Sequence, residues 1–305
     1  MRSLYIPHAD RLTLRLLSLI VGILPIFLGL IPSVGLAQPP QEVVSAFDEY
    51  FPDQQGNEWR YRGRMVEGGV VEIAEKQFSN VSTVIGEEVR EGIKMTVFHD
   101  TNPGDQGPSD SYYRRDAAGI RYYGSKPGTT LEKQLVPYQI VRFPIEIPSS
   151  FQQLDRKDLD LGLDLDRDGQ TERVDVQAVV TVVRREGITV PLGTFPDSIR
   201  LEAQMTMDVH LTHLKESVRG TDTMTAWFGR GIGLLKYVER QTIPSLRSNE
   251  DKVIEVIEEL EEATIKDQMA SRSRGKSSAQ RVFRNDALDH ELLQISWPSR
   301  FFPYP

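Results

Sequence analysis

Apolar and polar side chains alternate along much of the segment from Trp59 to Thr242, and this period of two constrains the fold more than any other feature. Successive side chains of a β-strand point to opposite faces, so alternation is typical of strands that bury one face. Long helical periodicity is nearly absent. The sequence therefore predicts a mainly β fold, with an antiparallel sheet that is curved or forms a partly open barrel or sandwich.

Clusters of Gly, Pro, Asn and Asp separate the predicted strands. The strands are expected at 58–62, 70–73, 80–85, 93–98, 111–115, 119–124, 174–183, 198–214, 223–228 and 234–242. Gly86-Glu87-Glu88 is predicted to break one strand from the next, and residues 99–110 to form a polar loop. Residues 125–153 read as irregular. Residues 251–265 fit a helix face or a final strand, and the β context favours the strand.

The first 37 residues differ from the rest. Arg2, Arg11 and Arg15 precede an apolar run that closes with small residues at Ala37, the pattern of a secretory signal peptide over 1–37. The alternative is an uncleaved membrane anchor, because the run is about 20 residues long. A β-rich domain is predicted over 38–265, with lobes at 48–145 and 146–265 as one option, and a disordered tail over 266–305.

Charge and cysteine content narrow the class of protein. The chain has no cysteine, so disulfides, thiolate metal sites and the lipid-anchored cysteine of a bacterial lipoprotein are excluded. After residue 37, 33 basic and 43 acidic side chains remain, a net charge of −10. A negative body repels phosphate backbones and argues against nucleic acid as a partner. We expect a periplasmic or extracellular protein that is not a lipoprotein and meets the membrane only if the N-terminal segment is retained.

The acidic segment 164–175 has the spacing of a calcium loop. Carboxylates at loop positions 1, 3 and 5 precede a glycine at position 6, which allows one tight turn to aim several oxygens at a hard cation. Position 12 is Asp rather than the usual Glu, and strands rather than helices are expected on both sides. The alternative is a solvated acidic turn. The predicted Ca²⁺ ligands are Asp164, Asp166, Asp168, Gln170, Glu172 and Asp175.

No catalytic motif stands out. Gly229-Arg230-Gly231-Ile232-Gly233 resembles a phosphate loop, but a predicted strand rather than a helix follows it, so a strand-to-strand turn is favoured. His210 and His213 are three residues apart on a predicted strand and would face opposite sides. The sequence names no nucleophile or base, although a triad assembled in space leaves no mark along the chain.

Three segments together are similar to a known family. They are Tyr50–Tyr61, with Trp59 and Tyr61 on one strand face, Thr189–Glu202, and Trp227–Lys236. In this order they resemble the TapB-like family of exported bacterial proteins, related to a domain of unknown function, over roughly residues 48–260. The resemblance implies an antiparallel β domain in the periplasm or on the cell surface and carries over no catalytic residue. The chain departs from the family at Gly229-Arg230-Gly231, where Pro-Gly is common, in the acidic loop and in the long tail.

Three functions follow as hypotheses. The first is a non-enzymatic envelope protein that binds a protein partner or an apolar ligand, with calcium stiffening one loop. The second is a periplasmic carrier of lipid or lipoprotein, which an apolar interior without polar groups would favour. The third is an exported hydrolase, which a pocket with a perturbed acid or base would favour.

Overall fold

One antiparallel sheet makes up most of the fold, as the alternating pattern predicts. The structure is a computed structural model and describes residues 41–68, 73–244, 251–266 and 280–283. The strands are β1 (Glu42–Val43), β2 (Glu58–Gly68), β3 (Ile73–Arg90), β4 (Ile93–Asp100), β5 (Ser109–Asp116), β6 (Gly119–Lys126), β7 (Tyr138–Arg142), β8 (Glu146–Ile147), β9 (Ser149–Asp160), β10 (Arg173–Val190), β11 (Gly193–His210), β12 (Ser217–Gly229), β13 (Gly233–Ile243), β14 (Lys252–Lys266) and β15 (Gln280–Phe283). One α-helix, α1 (Thr130–Leu135), and two 3-10 turns, Phe47–Tyr50 and Pro103–Asp105, complete the described elements.

Twelve strands follow the order β7-β6-β5-β4-β3-β2-β14-β13-β12-β11-β10-β9. Neighbouring strands in this order are consecutive along the chain except at one place, where β2 pairs with β14. In this long-range pairing, Tyr61 lies opposite Leu260. The two outer strands approach each other, and Gln153 Nε2 on β9 donates a hydrogen bond of 2.9 Å to the carbonyl of Gln139 on β7. The sheet is therefore a nearly closed barrel, and β1 and β8 form a separate two-stranded sheet.

Aromatic side chains of β2 pack in the barrel interior next to the pairing of β2 with β14. Trp59 and Tyr61 are fully buried, as expected for two residues on one strand face. The Trp59 indole N–H donates to the carbonyl of Ile232 at 2.6 Å, and the Tyr61 hydroxyl donates to the carbonyl of Leu234 at 3.2 Å. Each ring thus buries apolar area and satisfies its polar atom, which stabilises the contact between β2 and the start of β13.

The segment before β2 covers one end of the barrel. The ring of Phe51 lies 4.8 Å from that of Phe228 at the end of β12. The carbonyl of Glu49 accepts a 2.7 Å hydrogen bond from the Gly231 N–H, in the turn between β12 and β13. Gly231 has a φ of +75°, which favours glycine there. The predicted strand-to-strand turn at Gly229–Gly233 is confirmed.

Two local predictions are wrong. Gly86-Glu87-Glu88 does not break the strand, because β3 continues to Arg90 through a bulge between Val84 and Gly86, where Gly86 has a φ of +142°. Residues 125–153 are not irregular, since they contain α1, β7, β8 and the first residues of β9. The helix has a capping box between Thr129 and Glu132, but its six residues are too few for a periodic pattern.

The C-terminal part agrees with the sequence except at one strand. Residues 252–266 form β14, so the strand interpretation of 251–265 is confirmed. Within the predicted disordered tail, 266–305, residues 280–283 pair with β14. The reason is that β14 extends beyond its last pairing with β13, at Glu259, and leaves backbone groups for another strand. The rest of the tail from residue 267 and the predicted signal peptide, 1–37, lie outside the described residues.

The sheet runs without a break across the two predicted lobes, 48–145 and 146–265, and the described residues from 41 onward belong to one compact unit. Among the residues that the structure describes, no helix is long and apolar enough to cross a bilayer. The described helix has six residues, far fewer than the roughly 20 that a spanning helix needs.

Replacing Trp59 with phenylalanine should destabilise the barrel by about 2–4 kcal/mol, because it leaves a cavity and an unsatisfied buried carbonyl at Ile232. Trp227→Phe is the matched control. Trp227 is half-buried, its indole bonds the carboxylate of Glu186, and water can replace that bond, so we expect a loss of about 1 kcal/mol. Denaturant unfolding of both variants measures the difference, and equal losses would contradict the role given to Trp59.

Candidate functional site

The acidic segment predicted to bind calcium lies in the loop between β9 and β10. Paired backbone hydrogen bonds narrow the base of this loop: Leu161 N–H donates to the carbonyl of Glu172, and Glu172 N–H donates to the carbonyl of Leu163, each at 2.9 Å. Leu161 is buried in the barrel core. The Glu172 side chain is fully buried as well. The loop is thus anchored at its base by one apolar and one acidic side chain.

Three of the predicted ligands converge. Asp164, Asp166 and Glu172 each place a carboxylate oxygen within 4.8 Å of the others. Asp164 is exposed, Asp166 is half-buried and Glu172 is buried. The Oδ1 atom of Asp166 is buried and accepts no hydrogen bond in the structure. Three negative groups at this separation repel one another, and a cation between them would remove that cost.

Backbone N–H groups hold the carboxylate of Asp164. Its Oδ1 accepts from Arg167 N–H at 2.6 Å and from Asp168 N–H at 3.2 Å, and its Oδ2 accepts from Gly169 N–H at 2.9 Å. Gly169 has a φ of +89°, so the glycine expected at position 6 has the conformation that the turn requires.

The turn between β11 and β12 supplies further donors. Thr212 N–H donates to Glu172 Oε2 at 3.0 Å, and His213 N–H donates to Asp166 Oδ2 at 2.8 Å. Glu172 Oε1 also accepts from the N–H of Leu165 and of Asp166, each at 3.2 Å. The acids therefore connect two loops that are about 40 residues apart in sequence. The sequence gives no indication of these donors, because backbone N–H groups carry no residue-specific pattern.

The other three predicted ligands lie elsewhere. Hydrogen bonds from the Thr212 hydroxyl and from Gln170 N–H hold the pKa of Asp168 below its usual range. Gln170 itself is exposed. Asp175 Oδ1 accepts from Asp158 N–H at 2.9 Å, because position 12 has already entered β10. The loop is closed by Glu172 at position 9, so its geometry differs from that of the helix-flanked calcium loop.

The inner face of the sheet carries a group of buried polar side chains that no motif in the sequence marks. Asn80 Nδ2 lies 3.3 Å from both Asp100 Oδ1 and Glu258 Oε2, and Gly104 N–H donates to Glu258 Oε1 at 2.7 Å. The alternating pattern gives the face of each residue but not whether acids on different strands meet. The described members at most 8% exposed are Asn80, Asp100, Asp222, Glu239, Gln241 and Glu258.

Asp222 and Glu239 form a carboxyl pair within this group. Burial raises the pKa of Asp222 well above its ordinary value, and the charge of Glu239 and their mutual hydrogen bond raise it further. Glu239 accepts hydrogen bonds from the Tyr237 hydroxyl at 2.9 Å and from Gln241 Nε2 at 2.7 Å. Two adjacent buried carboxyls avoid repulsion by sharing one proton, so folding favours the protonated form of the pair.

An apolar cleft opens at the covered end of the barrel, and the space of about 480 Å³ between its walls includes open solvent. Arg115 and Asp53 lie at its rim and form an ion pair at 3.4 Å. Its walls come from the segment before β2 and from β4, β5, β6, β7 and β12. The main apolar residues of these walls are Phe51, Phe98, Ile120, Ile140, Val141 and Phe228.

Comparisons with known proteins add little. No protein-family model and no curated protein match the chain. A candidate exported protein with a YmcC-like fold from Bacteroides fragilis matches with a TM-score of 0.30 and 12% identity, over 69% of this chain and 98% of its own. A candidate lipoprotein from Parabacteroides distasonis matches with a TM-score of 0.28 and 14% identity, over 70% and 98%. Similarities of this size support no inference about the role of this chain, and membership of the TapB-like family stays a prediction.

Asp222→Asn should change how stability depends on pH. The folded protein holds the Asp222 proton more tightly than the unfolded chain, whose pKa is near 3.8, so the contribution of this group to stability is fully present below that pH and is lost as pH rises towards the folded pKa. The variant has no such proton. Its free energy of unfolding, relative to that of the wild type, should therefore rise by up to about 1.4 kcal/mol per pH unit above pH 4.

The control for that experiment is Asp208→Asn on the neighbouring strand. The hydrogen bond and charge of Arg219 lower the pKa of Asp208, so its contribution is present at neutral pH and is lost as pH falls. Denaturant unfolding between pH 4 and pH 8 should therefore show a gain over the wild type that grows with pH for Asp222→Asn and a nearly constant difference for Asp208→Asn, whose pH-dependent contribution lies below about pH 4. Parallel curves for Asp222→Asn and the wild type would show that the carboxyl pair holds no extra proton.

Proposed function

We propose that this chain is an exported, non-enzymatic protein of the bacterial cell envelope with a binding or structural role, and that calcium stabilises its barrel. The convergence of Asp164, Asp166 and Glu172 is the observation that carries the calcium proposal. The N-terminal pattern and the resemblance to the TapB-like family support export. A periplasmic or extracellular location exposes the loop to calcium far above cytosolic levels.

The donor set suits calcium on chemical grounds. Calcium takes six to eight oxygen ligands at about 2.3–2.6 Å and accepts irregular geometry, and carboxylates are its preferred protein ligands. Each carboxylate oxygen has two lone pairs, so Asp164 and Glu172 can accept N–H groups and still bind an ion. Asp166 Oδ1 offers a buried oxygen without a hydrogen bond. Among the described residues, no basic side chain forms an ion pair with these three acids, so their charge is left for a cation.

The proposed role of the ion is structural. Asp166 and Glu172 already accept N–H groups from the β11–β12 turn, so an ion bound to them would lock the β9–β10 loop onto that turn. A site with a dissociation constant of roughly 10⁻⁴–10⁻³ M is expected for an extracellular module. At 10 mM calcium such a site adds about 1.4–2.7 kcal/mol to the free energy of unfolding.

Calorimetric titration and thermal melting with calcium or chelator test this proposal. We expect binding heat and a rise of several degrees in Tm with calcium, and loss of both in Glu172→Gln and Asp164→Asn. Asp175→Asn is the control, because the structure places that carboxylate on Asp158 N–H, outside the convergent group. If the wild type gives neither heat nor a Tm shift, the calcium proposal fails. If Asp175→Asn abolishes binding, the three-acid assignment fails.

An exported hydrolase is the second candidate, and the Asp222–Glu239 pair favours it because a protonated buried carboxyl can act as a general acid. Asp222 lines a small cavity together with Gln241 and Met207. Its side chain is only 1% exposed, however, so a substrate would need to enter the barrel wall to reach it. Hydrolysis of a substrate panel that is lost in Asp222→Asn would favour the enzyme over the binding protein.

The buried acids argue against a lipid carrier whose acyl chain lies in the barrel interior. Placing a hydrocarbon chain against Asp222 and Glu258 would strip these groups of polar contacts, which costs several kcal/mol for each unsatisfied group. A phospholipid that copurifies with the protein in mass spectrometry would revive the carrier.

A further inference from the structure

The apolar cleft at the covered end of the barrel has the walls of a binding site for aromatic side chains. Three phenylalanines, Phe51, Phe98 and Phe228, meet aliphatic side chains there, including Ile120 and Ile140. Aromatic rings pack favourably against one another at centroid distances of about 4.5–7 Å, a geometry that Phe51 and Phe228 already adopt at 4.8 Å. The cleft therefore selects flat apolar groups rather than polar ligands.

Charged side chains at and next to the cleft carry an excess of negative charge: Arg115 and Asp53 line the cleft, and Asp48 lies outside its lining beside Arg115. Arg115 forms ion pairs with Asp53 at 3.4 Å and with Asp48 at 2.9 Å. One guanidinium thus faces two carboxylates, and one negative charge is left from these three groups. An occupant with a cation next to its aromatic groups is complementary to this arrangement.

Residues 297–305 have this chemistry. Their sequence is Trp-Pro-Ser-Arg-Phe-Phe-Pro-Tyr-Pro, with Arg300 directly before Phe301 and Phe302. Prolines restrict the unfolded backbone, so less conformational entropy is lost when such a segment is ordered. Four of the nine residues are aromatic, and without a binding site they would expose a large apolar surface to water.

Strand β15 brings this segment within reach of the cleft. Phe283 pairs with Ala263, which pairs on its other side with Trp59. The ring of Trp59 lies 6.2 Å from that of Phe98 in the cleft wall. Thirteen residues separate Phe283 from Trp297, and an extended chain of that length spans up to roughly 43–47 Å. The linker is therefore long enough to return to the cleft from the last described strand.

We propose that residues 297–305 are an internal ligand of the barrel, with Phe301 and Phe302 packed against the walls of the apolar cleft and Arg300 next to Asp48 and Asp53. The segment covers apolar wall that the strands leave open, and Arg300 balances the charge of Asp48 and Asp53. The proposal is independent of calcium and of the export proposal.

Disulfide trapping tests this proposal, because the chain has no cysteine of its own. The test pair is Ser299→Cys with Thr96→Cys, where Thr96 lines the cleft. The control pair is Ser299→Cys with Lys215→Cys, in the exposed β11–β12 turn at the opposite end of the barrel. In dilute protein under mild oxidation, we expect the test pair to form an intramolecular disulfide at least about tenfold faster than the control pair.

The added change Phe301→Ala with Phe302→Ala should reduce the rate of the test pair to that of the control. Equal rates for the two pairs would overturn the proposal, as would a rate that these alanines leave unchanged. A cross-linked dimer as the main product would assign the cleft to a second copy instead. Thermal melting of each cysteine variant verifies that it is folded.

A second measurement needs no cysteine. A chain lacking residues 297–305 should bind the apolar fluorescent probe ANS several-fold more strongly than the full chain, because the cleft is then open. Adding a peptide of sequence WPSRFFPYP should restore the lower emission, whereas the same peptide with both phenylalanines changed to alanine should not. Equal ANS emission from the two chains would contradict the proposal.

Discussion

The pairing of β2 with β14 is the interaction on which the rest of the structure depends. It joins strands β2–β7 to strands β9–β14, and without it the chain would form two open sheets with exposed edges. Its two strands are nearly 200 residues apart, so closing the connection costs chain entropy that local contacts cannot offset. Burial of Trp59 and Tyr61, each hydrogen-bonded to a carbonyl near the start of β13, supplies stabilisation at this step.

Barrel closure explains why two kinds of acidic group coexist in one molecule. Strands on one sheet bring Asp222, Glu239 and Glu258 to an interior where water is scarce, so protonation and hydrogen bonds must replace hydration. At the end where β9, β10, β11 and β12 turn, backbone N–H groups hold Asp164, Asp166 and Glu172, and Asp164 is exposed to water. Desolvation thus favours a proton in the interior, whereas convergence of charge favours a cation at the loop.

Much of the fold could be predicted from the sequence. Alternation placed most strands, including Val174–Val182 and Ile199–Leu201, because a period of two reports one buried face. It could not give strand partners, so the pairing of Tyr61 with Leu260 and the meeting of Asp222 with Glu239 were missed. The loop spacing found Asp164, Asp166 and Glu172 but also included Asp175. The usual calcium-loop pattern has a helix after the loop, whereas here position 12, which is Asp175, lies on strand β10.

Nuclear magnetic resonance offers the most direct test of the long-range pairing, through contacts between α-protons of β2 and β14. In an antiparallel pair, α-protons of directly opposed residues approach closely at alternate positions. We expect such contacts at every second pair of the register that places Tyr61 opposite Leu260 and Gly63 opposite Glu258. Absence of contacts between these strands, or a register shifted by one residue, would contradict the nearly closed barrel and the interior built on it.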